Sequence, residues 1–241
     1  GEADMSAGLV VAAAEGTGVT RVVTLGSSVG PGGARNIGLD HALGEFVCFL
    51  DADDLADRHE LLAACALASA TNADLVAYGF EEADTTRKAR RASIPCCDAT
   101  FSDLLAKRVG VWRFLFRRSF LEQWGVRFPQ LRYGEDLLFL LTLMESRPKL
   151  TTLDSISYTH RLHREGLSGS GRSRAELQHV LTRLLELSRG GNSSDVQDVA
   201  LTWATRVAYA NFARLAGTGP SLLARTTWQL MHHPRAVKQL L

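Results

Sequence analysis

Three carboxylates fall within four positions of this chain: Asp51, Asp53 and Asp54. Carboxylates this close repel one another unless a cation stands among them. Hard oxygen ligands suit Mg²⁺ or Mn²⁺, and such ions usually bridge phosphate oxygens. Twenty residues upstream, Gly26-Ser27-Ser28-Val29-Gly30-Pro31-Gly32-Gly33 leads into Arg35-Asn36. Glycines there permit positive φ and close backbone approach, and a helix N-terminus attracts phosphate. A second acidic pair, Glu135-Asp136, follows Gly134 at the head of an apolar run. Acids in the first turn of a helix are favoured by the macrodipole alone. Further on, His163 offers a neutral imidazole able to complete a site of carboxylate and phosphate oxygens.

These groups need elements to hold them. Phe46-Val47-Cys48-Phe49-Leu50 has no polar alternation, as expected of a strand covered on both faces in a parallel sheet. It would deliver the acidic cluster at its carboxyl end, where ligands bind in open α/β sheets. Residues 57–70 read as a helix and Leu75–Phe80 as the next strand, the alternation that builds a parallel sheet with flanking helices. Leu137, Leu138, Leu140, Leu141 and Met144 form the buried face of a helix opened by Glu135-Asp136. Before all this come a helical stretch, Ser6–Glu15, and a short strand, Arg21–Leu25.

From Ser173 onward the pattern is helical. Leu177 to Leu185 and Val196 to Val207 have the right spacing, with Gly190-Gly191-Asn192 between them and a third helix at Ser221–His233. We place a domain over residues 1–170 and a helical extension over 171–241. That extension holds nine Arg or Lys against four acids, about +5. A basic helical tail can lie on an anionic membrane surface, pack on the first domain, or meet another subunit of a homo-oligomer.

Composition narrows the classes. The chain has 241 residues, 46% hydrophobic and 22% charged, with a net charge of +1. This argues against nucleic acid as a partner, since no basic face interleaves with aromatics. Arg87, Lys88, Arg90 and Arg91 form one basic run, read as a solvated loop. Cys48, Cys65, Cys96 and Cys97 show neither a disulfide framework nor metal-ligand spacing, which fits a reducing cytoplasm. No run of about 18 apolar residues predicts a membrane span.

The acidic segment is longer than an isolated DxD. Ala34-Arg35-Asn36, Gly38, Gly44-Glu45 and Phe49-Leu50-Asp51-Ala52-Asp53-Asp54 resemble, in order and spacing, the family 2 glycosyltransferases of the GT-A fold, which carry "ARN.G…A.GEY..FLDADD". Val111–Leu121 resembles that family's acceptor-side segment, Gly134-Glu135-Asp136 its "GED" motif, and Tyr158 to Ser168 its "Y.YR.H..S" pattern. His160 takes a place more often held by an aromatic.

The resemblance implies a GT-A-like α/β domain with a mostly parallel sheet. It implies inverting transfer of a sugar from a nucleotide-diphosphate donor to a saccharide or other hydroxyl acceptor, in cell-envelope or natural-product glycan biosynthesis. By its motifs, Asp136 is the general base, Asp53 and His163 hold Mn²⁺ or Mg²⁺, and Asp51, Arg35 and Ser168 meet the donor. Arg35 can equally tie its helix to an acidic turn. Trp112, as a platform for a sugar ring, and Glu135 are the acceptor contacts. One departure is large: family members begin with two strands that have no counterpart ahead of Gly1-Glu2-Ala3-Asp4, so the domain is expected to be incomplete at its amino end. Two other classes compete: an inactive, glycosyltransferase-like binding module, and a DxD-type phosphohydrolase. The second fits poorly, because Asp54-Leu55 stands where Thr or Val usually follows the second Asp of that motif.

Overall fold

The computed structural model describes residues 22–84, 90–93, 99–107, 110–162, 173–189 and 192–211. The expected helices at 6–15 and 221–233, together with Cys96, Cys97, His163 and Ser168, lie outside the described residues. Of the expected strand Arg21–Leu25, residues 22–25 carry no strand.

The centre of the molecule is β3 (Leu75–Asp84), with β5 (Phe114–Arg117) on one side and β6 (Leu150–Leu162) on the other. Successive side chains of a strand point to opposite faces. In β3, Leu75 and Ala77 enter one core while Val76, Tyr78 and Phe80 enter another. In β5, Phe114 and Phe116 join the first core and Leu115 the second. Burial on both faces is why these segments read as continuous apolar runs.

The remaining strands extend this centre. The sheet runs β1 (Phe46–Cys48), β5, β3, β6, β2 (Leu55–Ala56), with β4 (Arg90–Ser93) also on β3. The pairing of β3 with β6 is parallel; the other described pairings are antiparallel. The α/β fold is as expected, but among the described residues the sheet is mixed rather than mostly parallel. The strand expected at 46–50 is three residues long, antiparallel to β5, and exposes Cys48. Its apolar residues still mark real contacts, because Val47 and Phe49 pack on the first core and Phe46 on the second.

Helix α2 (Arg58–Thr71) covers the second core, held at its start by the Asp57 carboxylate, which accepts the His59 and Glu60 amides. The first core is covered by α3 (Phe101–Lys107), α5 (Glu135–Glu145), α6 (Arg174–Leu187) and α7 (Ser194–Ala210). The helices read as an extension thus share one core with α5. Leu177, Val180, Leu181, Leu184, Val196, Val199 and Val207 bury there, as their spacing predicts. At the far end of the sheet, α4 (Arg118–Gln123) follows β5, where Arg118 donates to the Gly44 carbonyl and Arg117 pairs with Glu45. That pins the turn before β1.

Candidate active site

Helix α1 (Gly30–His41) brings Arg35 to the acidic residues. Its approach to the following loop needs Gly32, where a Cβ would meet the Pro129 carbonyl at 2.5 Å. Asn36 then fixes the helix as a strand partner would: its amide donates to the Phe128 carbonyl and its carbonyl accepts the Phe128 amide, both at 2.9 Å. With Asn36 tied to backbone, the neighbouring Arg35 reaches the other way.

Its guanidinium, 14% exposed, gathers three carboxylates. It bonds Asp51 at 2.9 Å, Glu135 at 3.0 Å and Asp136 at 2.5 Å. Three motifs far apart in the chain therefore meet on one cation. Beneath them lies a ring cluster: Phe128 stacks on Phe139 with centroids 4.0 Å apart, and Phe49 meets both rings edge-on. Phe49 sits two residues before Asp51 and Phe139 three after Asp136, so this cluster sets the distance between the acidic turn and α5. Arg35 also lies over the Phe128 ring at 5.5 Å.

Glu135 and Asp136 open α5 after Gly134, whose φ of +78° suits glycine and whose Cβ would press on Val180 at 3.0 Å. Asp136 also accepts the Val111 amide at 3.3 Å. Burial raises the Glu135 carboxyl to about 7, helped by the Asp136 charge and opposed by Arg35. Asp136 is raised too, by burial and by Asp51, with Arg35 holding it back. The Arg35 guanidinium is costly to bury, but its three carboxylates more than offset this and hold it firmly charged.

The acidic turn divides its labour. Asp54 points inward with its side chain 1% exposed, accepting the Tyr158 hydroxyl at 2.7 Å and the Arg161 amide at 2.7 Å, with His160 Nδ1 at 3.1 Å. Burial works against its charge, yet these partners keep its carboxyl below the ordinary range. Asp51 is about one-third exposed and Asp53 is exposed. Among the described residues no three His, Cys, Asp or Glu side chains stand together as a metal cluster. The exposed Asp53 carboxylate, with the part-exposed Asp51 beside it, nevertheless suits a hard divalent cation that completes its shell with phosphate oxygens and water.

Trp112 is a correction. It is 5% exposed, stacked on Tyr158 and His160 at centroid distances of 4.7 and 5.3 Å, with Phe80 edge-on at 4.7 Å. Tyr78 donates to its carbonyl at 2.9 Å. Protein rings occupy the indole, so in this structure it serves packing rather than presenting a face to a sugar. The partnership of Tyr158 and His160 with Asp54 was missed, since the third Asp of the cluster looks in sequence like one more ligand.

Comparison with known proteins gives these positions a context. The family described as "Glycosyl transferase family 2" matches residues 2–128, which include Arg35 and the acidic turn but end before Glu135. The succinoglycan biosynthesis protein ExoO of Rhizobium meliloti (strain 1021) is 29% identical over 160 residues, 61% of this chain and 46% of that protein. The poly(ribitol-phosphate) beta-N-acetylglucosaminyltransferase TarS of Staphylococcus aureus is 27% identical over 148 residues, 58% of this chain and 25% of that protein. The chain thus spans about half or less of these two relatives. A crystal structure of S. aureus TarS in complex with UDP-GlcNAc superposes with a TM-score of 0.64 at 19% identity, covering 90% of this chain and 65% of that one. The likeness shows the GT-A fold. No helix among the described residues is long and apolar enough to cross a membrane.

Proposed function

Because the chain belongs to glycosyl transferase family 2, we propose that it moves a sugar from a nucleotide-diphosphate donor to a hydroxyl acceptor with inversion, Asp136 serving as general base. The observation that carries this reading is the gathering of Asp51, Glu135 and Asp136 on Arg35. A donor-side carboxylate and a candidate base thus border one site, where donor and acceptor can be brought together. A TarS structure solved with UDP-GlcNAc and another with UDP support a nucleotide-sugar donor.

In this reaction Asp136 takes the proton of the acceptor hydroxyl at a carboxylate oxygen as the hydroxyl attacks. Burial raises its basicity, which favours taking up that proton. Arg35 and the Val111 amide fix its orientation. Glu135, on the same first turn, meets the acceptor. Asp53, with Asp51 beside it or on the ribose, would hold Mn²⁺ or Mg²⁺, which neutralises the charge growing on the departing diphosphate. His163 and Ser168 follow β6 and complete the donor contacts. The reaction belongs to the cytoplasm, where nucleotide sugars are held.

The test is a panel of nucleotide sugars incubated with the protein and Mn²⁺, read by mass spectrometry. Release of a nucleoside diphosphate from one donor is expected. A protein that binds and turns over none of them would overturn the reading in favour of a partner-binding module.

A further inference from the structure

We propose that Tyr158 and His160 are positioning residues for donor binding, acting through Asp54 to hold the acidic turn with Asp53 exposed and Asp51 on Arg35. The proposal rests on the glycosyltransferase reading for its ligand, though not for its geometry.

Burying a carboxylate costs several kcal/mol unless it is fully paired. Asp54 is paired through both oxygens, Oδ2 with the Tyr158 hydroxyl and His160 Nδ1, and Oδ1 with the Arg161 amide. The Tyr158 hydroxyl also accepts the Asp51 amide at 3.3 Å, so one phenol touches both ends of the turn. The Asp54 amide closes that turn on the Asp51 carbonyl at 3.1 Å. Beyond it, Leu55 and Ala56 pair with Thr159 and Tyr158, and the Asp57 amide bonds the Ser157 carbonyl at 2.9 Å. With both Asp54 oxygens committed inward, the turn presents Asp53 to solvent and Asp51 to Arg35. Both rings also stack on the Trp112 indole.

Four variants separate this role from simple stability. Tyr158→Phe keeps the ring on Trp112 and removes only the hydroxyl; His160→Leu removes the imidazole bond; His160→Gln restores an N–H donor. Phe80→Leu loosens the same aromatic core without touching Asp54. Two readouts apply: amide hydrogen exchange over residues 50–57 without ligand, and the Kd of UDP, GDP, CDP and dTDP with Mn²⁺. Where turnover is measurable, donor KM is separated from kcat. For Tyr158→Phe and His160→Leu we expect faster exchange in the turn and about tenfold weaker binding of whichever nucleotide the wild type binds, with kcat at saturating donor near wild type. His160→Gln should recover most of the affinity, and Phe80→Leu should bind as wild type does. Unchanged exchange and affinity in Tyr158→Phe would overturn the proposal while leaving the glycosyltransferase reading intact. Equal weakening by Phe80→Leu would also overturn it, because the effect would then be one of stability. A wild type that binds none of the four nucleotides would overturn the proposal together with that reading; the exchange result would then show whether the clamp itself exists.

Discussion

Arg35 and Asp136 stand 101 residues apart in the chain and 2.5 Å apart in space, the guanidinium donating to a carboxylate already held by the Val111 amide. A carboxylate so restrained keeps one orientation, with both of its oxygens held.

Asp136→Asn is nearly isosteric and should leave folding and nucleotide binding intact. Transfer should fall by about 10²–10⁴, the usual worth of a general base. Steady-state rates beside a calorimetric Kd decide it: wild-type transfer with intact donor binding would reduce Asp136 to an acid of the first helical turn.

Arg35→Ala leaves Asp51, Glu135 and Asp136 facing one another without a cation. Removing one partner of a buried ion pair is strongly destabilising, and part-exposure here tempers it to on the order of 2 kcal/mol. Urea unfolding measures the loss. Arg35→Lys should recover only part, since a point charge cannot serve three carboxylates as the planar fork does.

Glu135 gives a pH signature. Its carboxyl ionises near 4.5 when unfolded and at about 7 when folded. Between those values the folded state binds more protons, so this group's contribution to stability falls as pH rises from about 4.5 to 7 and is constant outside that window. Glu135→Gln should flatten this part of a Tm-against-pH curve. An unaltered curve would mean that Arg35 holds Glu135 ionised throughout.

For the metal, EDTA in excess should abolish donor turnover, and added Mn²⁺ or Mg²⁺ should restore it. Asp53→Ala should lose activity without recovery at any ion concentration, its fold unchanged by circular dichroism because the side chain is exposed. Full turnover in EDTA would contradict the role given to Asp53.

Much of this was legible before any coordinates. Asp51, Glu135 and Asp136 announce themselves because each stands at an element's end, where chemistry-bearing side chains concentrate and sequence patterns change. Their common partner was harder to see: Arg35 lay next to a glycine-rich loop that suggests phosphate, while its bonds are with residues 16, 100 and 101 positions away. Strand direction was illegible for a similar reason. An apolar run shows that both faces of a strand are covered, but β1 takes its antiparallel partner from Leu115–Arg117, some 70 residues on, and no local pattern records that choice. Trp112 misled because an indole in an acceptor-like segment looks the same whether it faces a sugar or, as here, Tyr158 and His160.

Helix α5 is gripped at both ends by the helices that follow it. Glu176, in the capping box of α6, also accepts the Arg132 amide just before Gly134, and Val180 stands against Gly134 itself. At the other end Glu145 accepts the Ser193 amide at the start of α7. Anyone trimming this protein to a minimal catalytic unit by cutting near residue 171 would strip the brace from the helix that carries Asp136. The same holds for chimaeras: grafting α6 and α7 from a relative would change what holds both ends of α5 even with every motif residue kept.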